Sequence, residues 1–229
     1  MRQLPLALGP EPLATFQSYV PGANEAAVAH LRSIGAGAAP IYLWGPAGAG
    51  KTHLLRALVQ ARQVAGQGSG WFEAGDPPPW EFRPGWAAVL VDDVDRLDAP
   101  SQHAAFALFV ESTAHGVPFV AAGTLPPVDL PLRDDLRTRL GWGHVFALQP
   151  LGDAETRAAL RREADRRGIF LADEVMAYLL TRFPRDLKYL MTVLDRLDEF
   201  AMARGRAVTV PLLRAMLAEE GLPAIPETS

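Results

Sequence analysis

A chain of 229 residues is long enough for one large domain, or for a medium domain joined to a small one. With 49% hydrophobic and 21% charged residues, its composition is that of an ordinary globular protein and sets aside intrinsic disorder. A net charge of −4 argues against direct DNA binding as the main role, since phosphate contacts need a basic surplus, and the lack of cysteine excludes disulfides, thiolate metal sites and cysteine nucleophiles.

Met1 to Leu6 lacks the apolar core of a signal peptide, and no stretch approaches the roughly 20 apolar residues of a membrane span. The expectation is a cytoplasmic protein with no membrane association. Residues 1–12 hold three prolines and read as an extended tail. Ala26 to Ile34 reads as a helix and Gly35 to Pro40 as a loop. Ile41-Tyr42-Leu43-Trp44 is a short apolar run of the buried-strand kind. A glycine-rich loop follows, and His53 to Arg62 then shows helical spacing, with Leu54, Leu55 and Leu58 on one face. Gly66 to Gly70 reads as a turn, Trp71-Phe72 as a short strand, and Asp76 to Pro79 as irregular.

Ala87 to Val91 is a second buried strand, ending in Asp92-Asp93. Ser101 to His115 is helical, Pro118 to Ala122 a strand, and Val145 to Leu148 another. Five short strands alternating with helices imply a parallel sheet flanked by helices. Beyond Pro150 the pattern turns all-helical. Asp153 is placed to cap a helix to Arg167, Asp173 to cap one from Glu174 to Arg182, and a longer helix spans about Arg185 to Arg204. In that helix Leu187, Leu190, Met191, Leu194 and Leu197 recur every three to four residues, and Pro211 suits the first turn of a last helix. The expected division is a tail at 1–12, an α/β domain at 13–150 and a helical domain at 151–229.

Gly45-Pro46-Ala47-Gly48-Ala49-Gly50-Lys51-Thr52 fits G-x-x-x-x-G-K-[ST] at every required position, between a strand and a helix as that motif demands. The glycines let successive N–H groups face phosphates, and the helix N-terminus adds positive charge. Lys51 supplies an ammonium to the β/γ-phosphates, and the Thr52 hydroxyl is an Mg²⁺ ligand; His53 completes the phosphate-binding stretch. Asp92 and Asp93 fall at the carboxyl edge of the sheet, where ligands of parallel sheets sit. Asp92 is placed to hold Mg²⁺, and Asp93 to orient or deprotonate a water.

In their order, the phosphate loop, the Asp92-Asp93 strand, the strand ending Gly123-Thr124 and the helical end resemble the AAA+ P-loop ATPases. Arg137-Thr138-Arg139-Leu140-Gly141-Trp142-Gly143 resembles the R-[FL]-x-W-G segment of the DnaA branch. Thr15 to Asn24 resembles that branch's opening motif near the adenine. The resemblance covers nearly the whole chain, and the arginine–Trp-Gly segment is its most specific part. It implies an AAA+ domain with a five-stranded parallel sheet followed by a small helical lid, with ADP or ATP and Mg²⁺ as ligands.

By the same resemblance, Arg139 is the arginine finger that reaches a neighbouring subunit's nucleotide, and Arg185 the sensor 2 arginine at a lid-helix start. Thr124 falls at sensor 1, where many relatives carry a more strongly polar or acidic residue. The chain ends after the lid with nothing resembling a helix-turn-helix domain. The tail Gln3-Leu4-Pro5-Leu6-Ala7-Leu8 resembles the Q-L-x-L-x-L peptide by which regulatory members of the DnaA branch bind the β sliding clamp of DNA polymerase III. Gln3, Leu4, Leu6 and Leu8 would be its contacts. The implied function is regulation of replication initiation. From a DNA-loaded clamp, the protein stimulates hydrolysis of DnaA-bound ATP, reaching DNA only indirectly and with homo-oligomers possible. The alternative is a self-assembling ATPase such as a helicase loader. The arginines at 161, 162, 166 and 167 are interleaved with Glu163 and Asp165, which reads as a solvated, salt-bridged face and not a DNA-binding patch.

Overall fold

The computed structural model describes residues 14–184 and 186–220, with the backbone alone of Glu220. The chain forms two compact units. Apart from the short stretch Pro46–Ala49, the first runs up to Leu148, and the second continues from Gln149.

The first unit contains α1 (Glu25–Ser33), β1 (Ile41–Trp44), α2 (Lys51–Val64), β2 (Gly68–Glu73) and β3 (Trp86–Asp92). After these come α3 (Ala99–Ala114), β4 (Phe119–Gly123), α4 (Asp134–Trp142) and β5 (His144–Ala147). The strands form one sheet in the order β2-β3-β4-β1-β5, every pair parallel. Parallel strands need crossovers, and the intervening helices supply them. Strand alternation then divides the side chains between two faces. Tyr42, Val89, Val91, Phe119 and Ala121 pack against Leu108, Phe109, Leu136 and Leu140 of α3 and α4. Residues of the other parity, Ile41, Leu43, Leu90 and Val120, are fully buried, as are Leu54 and Leu55 of α2. Burial on both faces is why the central strands read as unbroken apolar runs, each large side chain contributing about 1.5–3 kcal/mol.

Two elements of this unit differ from the sequence reading. The turn expected through Gly70 gives way to strand: β2 begins at Gly68, in ladder with β3, with a shift in register between Gly68 and Gly70. A Cβ on Gly70 would stand 2.5 Å from the Trp86 indole, so the glycines there make room for a ring and do not mark a turn. Asp134–Trp142, given no regular structure from the sequence, is the helix α4. Its mixture of charges, Gly141 and Trp142 hides a face only two leucines wide, Leu136 and Leu140.

The tryptophan- and proline-rich stretch after β2 is a structural packing element. Trp80 is buried and stacks on Phe72 at 5.0 Å between centroids, while Phe82 stacks on His115 at 4.8 Å.

The second unit contains α5 (Asp153–Arg166), α6 (Asp173–Arg182), α7 (Leu187–Arg204) and α8 (Val210–Glu220) around its own core. Leu160, Leu179, Leu190, Leu194, Leu197, Leu213 and Met216 are fully buried in it, and Leu187 and Met191 pack at its margin. The helix starts lie one residue from where capping arguments placed them. Gly152 and Ala172 occupy the cap positions, and Asp153 and Asp173 open the helices. Glu155 turns back to accept from the Gly152 N–H at 2.8 Å, and Asp186 caps α7 by accepting from the Tyr189 N–H at 2.9 Å. Within this unit Arg161 pairs with Asp173, Arg166 and Arg167 with Glu163, and Arg167 also with Asp195.

Candidate functional site

The loop Gly45–Gly50 leaves the end of β1 and delivers Lys51, Thr52 and His53 into the first turn of α2. Pro46, Ala47, Gly48 and Ala49 form its curve. Gly50 is left-handed, with φ at +86°, and a Cβ there would stand 2.5 Å from the Tyr19 ring. Only glycine satisfies both conditions. The Lys51 side chain folds back so that Nζ donates to the Gly45 carbonyl at 2.7 Å, and the residue is 7% exposed. Burial pulls the Lys51 ammonium below the usual lysine range, opposed by the negative charge of Asp92, Asp93 and Asp95.

Asp92 closes β3 and Asp93 follows in the left-handed region, with φ at +51°; it is the only non-glycine residue with positive φ among the described residues. The Thr52 hydroxyl donates to Asp92 Oδ2 at 2.6 Å, and the Asp93 N–H donates to Asp92 Oδ1 at 3.0 Å. Asp92 is 3% exposed, and burial pushes its carboxyl above the usual range despite those two donors. Asp93 remains open at its carboxylate, 3.5 Å from Arg96. Thus the structure brings Lys51, Thr52, Asp92 and Asp93 together at the carboxyl ends of β1 and β3.

Thr124, just past β4, donates its hydroxyl to Asp95 Oδ2 at 2.5 Å and its N–H to Asp95 Oδ1 at 3.0 Å. Sequence reading overlooked Asp95. The signal was present as a third aspartate three residues beyond Asp92, which a tight turn returns to the same side. The 3-10 turn Val94–Arg96 is that turn.

The opening segment lies against the loop. Asn24 donates to the Tyr19 hydroxyl at 3.1 Å, and the Tyr19 ring stands 5.5 Å from that of His53. His53 Nε2 is 3.0 Å from the Thr15 carbonyl and 3.2 Å from Ser18 Oγ. His53 therefore ties the Thr15–Tyr19 turn to α2.

Arg139 lies on the exposed side of α4. Its guanidinium sits 6.0 Å from the Phe109 ring and 5.9 Å from the ring of Trp142, itself 72% exposed. The carboxylates of this region are taken by its other arginines, Asp134 by Arg137 and Asp135 by Arg133, each at 2.6 Å. Arg139 forms no ion pair among the described residues. With Phe106, Asp134, Asp135, Thr138 and Trp142 it lines an open hollow of about 530 Å³.

Arg185 and the tail residues Gln3, Leu4, Leu6 and Leu8 lie outside the described residues. Among those described, no group of three or more metal-ligating side chains is present, and no helix is long and apolar enough to cross a membrane.

A family model for the lid domain of Hda matches residues 153–217, and one for the bacterial DnaA ATPase domain matches residues 11–67. Domain III of the Thermotoga maritima replication initiation protein DnaA superposes with a TM-score of 0.73 at 20% identity, covering 93% of this chain and 99% of that one. AMPPCP-bound DnaA from Aquifex aeolicus gives 0.69 at 22% identity over 82% of this chain and 66% of its own. The Thermotoga maritima RuvB branch migration motor gives 0.59 at 16% identity, over 79% of this chain and 61% of that one. These structures establish the fold, an AAA+ parallel sheet flanked by helices and followed by a helical region. With the DnaA-type match on the phosphate loop and the Hda-type match on the lid, the chain is a DnaA-related, Hda-like AAA+ protein.

Proposed function

We propose that this DnaA-related regulator binds ADP or ATP at the Gly45–Thr52 loop and presents Arg139 in trans to the nucleotide of DnaA, while Gln3, Leu4, Leu6 and Leu8 dock on the β sliding clamp. The observation that carries the reading is Arg139 itself. It is the arginine of its region left without a carboxylate, held between ring faces on an exposed helix. A guanidinium so placed keeps its charge and its fork of donors for a phosphate from outside.

The chain's own residues fit a nucleotide with Mg²⁺. Thr52 and Asp92 are hard oxygen donors within 2.6 Å of each other, and Lys51 stands at the base of the loop with its ammonium on the Gly45 carbonyl. Bound there, the nucleotide would bring phosphate charge for the loop N–H groups and Lys51, and the metal a Lewis acid held by Thr52 and Asp92. Asp93 keeps an open carboxylate that can take a proton from water, and by the family resemblance Arg185 would sense the phosphates. The own-site nucleotide sets shape and assembly, including any homo-oligomer.

The test is hydrolysis of ATP preloaded on DnaA, in the presence of clamp-loaded DNA and this protein. Stimulation should disappear in Arg139→Ala, with an effect of roughly 10³-fold or more if the finger is fully engaged. The same variant should still be retained by immobilised clamp, whereas Gln3→Ala/Leu6→Ala should not. Full stimulation by Arg139→Ala would overturn the assignment. The second reading, a self-assembling ATPase of the helicase-loader kind, is favoured by the proximity of Lys51, Asp92 and Asp93; turnover of ATP by the purified protein alone would support it.

A further inference from the structure

The ends of three strands are clasped together beside the phosphate loop, and the clasp is built around Asp95. Both of its oxygens are used by one residue, Thr124, through the hydroxyl at 2.5 Å and the N–H at 3.0 Å. Tyr42 of β1 completes the clasp by donating its hydroxyl to the Leu125 carbonyl at 2.7 Å. Burial, and then the nearby Asp95 charge, push the Tyr42 phenol far above its usual range, so it stays a donor. The packing leaves no slack: a Cβ on Gly123 would stand 2.5 Å from the Tyr42 hydroxyl and 2.8 Å from Asp95 Oδ1.

We propose that Asp95 is a positioning residue for the metal-binding half of the nucleotide site, acting through Thr124. Asp95 and Asp92 lie at either side of the Asp93 turn, which leaves β3 in a left-handed conformation that the chain does not adopt without support. Fastening Asp95 to β4 fixes the turn from its far side. Asp92 then faces Thr52, and Asp93 keeps its carboxylate outward. The loop glycines and Lys51 belong to α2 and its approach; Asp95 bears on Lys51 through its charge, which Thr124→Val leaves in place. This inference rests on the nucleotide-binding reading and deepens it. It separates two components of affinity: phosphate binding by the loop, which does not need the Asp95–Thr124 bond, and metal-assisted binding, which does.

The test measures the affinity of the full chain for fluorescent N-methylanthraniloyl-ADP, with Mg²⁺ and with a chelator. Thr124→Val and Asp95→Asn should each weaken binding about tenfold in Mg²⁺, the scale of a lost bond to a charged group, and less than about twofold without it. The double variant should be no weaker than the weaker single, as both remove one linkage. Thr124→Ser keeps the hydroxyl and should restore Mg²⁺-dependent binding. Equal losses with and without Mg²⁺, additive losses or unchanged affinity would each overturn the positioning role, as would failure of the serine variant to restore binding. A wild-type chain that binds no nucleotide in either condition would instead overturn the nucleotide-binding reading. Lys51→Ala, expected to abolish binding in both, tells the two failures apart.

Discussion

The Thr52 hydroxyl and the Asp92 carboxylate stand 2.6 Å apart, one at the start of α2 and the other at the end of β3. That bond keeps a carboxylate in a place where it has almost no contact with solvent. The molecule is therefore built to carry an unfavourable charge, and this has a measurable consequence.

Asp92→Asn should stabilise the protein at neutral pH while removing metal-assisted nucleotide binding. Burial raises the Asp92 carboxyl above its unfolded value, so the folded chain takes up a proton more readily than the unfolded one. Stability from this group falls as pH rises from the ordinary carboxylate value, about 4, through the raised value, and stays lower above it. Asparagine is free of that loss and can still accept from Thr52. A gain of about 1 kcal/mol, or roughly 2–4 °C in Tm, is expected at pH 7, shrinking on acidification. Thermal denaturation at two pH values decides it; a lower Tm at pH 7 would refute the account.

Gly50→Ala should destabilise the first unit by about 1–3 kcal/mol. The new methyl both meets the Tyr19 ring at 2.5 Å and forces alanine to a φ of +86°. Denaturant unfolding gives the size of the effect, and Tyr19 should become more exposed in the variant. Wild-type stability would mean that the opening segment lies on the loop too loosely to matter.

Glu163 supports the lid through charge. It accepts from Arg166 at 2.9 and 2.6 Å and from Arg167 at 2.6 Å, and these guanidiniums hold its carboxyl down to about 2. A carboxyl with a depressed folded value adds stability above its unfolded value, near 4.3, and loses it as pH falls from there to about 2. Glu163→Gln should be about 1–2 kcal/mol less stable at pH 7 and converge with wild type near pH 2. A constant difference across that range would show that packing, not charge, explains the change.

Trp142→Ala should leave Tm nearly unchanged, because the side chain is 72% exposed, and on the proposed function should weaken stimulation of DnaA hydrolysis about two- to fivefold. That is the scale of an exposed cation–π contact, and Trp142 is one of two rings over which Arg139 rests. Loss of stimulation as complete as in Arg139→Ala would give Trp142 a direct part in the docking.

The sequence made the central sheet legible because its strands are buried on both faces, so Ile41–Trp44 and Trp86–Asp92 stand out as apolar runs. The phosphate loop and Asp92-Asp93 were legible for a different reason: their chemistry demands fixed residues at fixed spacing. Helix α4 was hidden by its narrow apolar face, and β2 by glycines whose role is to admit the Trp86 ring. Asp95 was missed because its partner, Thr124, is distant in sequence and meets it only when β3 and β4 lie side by side. The local signal, a third aspartate after Asp92-Asp93, names no partner, because the contact is made across strands.

The chain has two lysines, Lys51 and Lys188, against an otherwise all-arginine basic complement. Lys51 turns its amine inward onto the Gly45 carbonyl. Amine-directed chemistry, from acylating labels to surface immobilisation, therefore has few places to act on this protein. A reagent that modifies Lys51 reports on the loop itself, because the amine must leave the Gly45 carbonyl and give up its proton before it reacts.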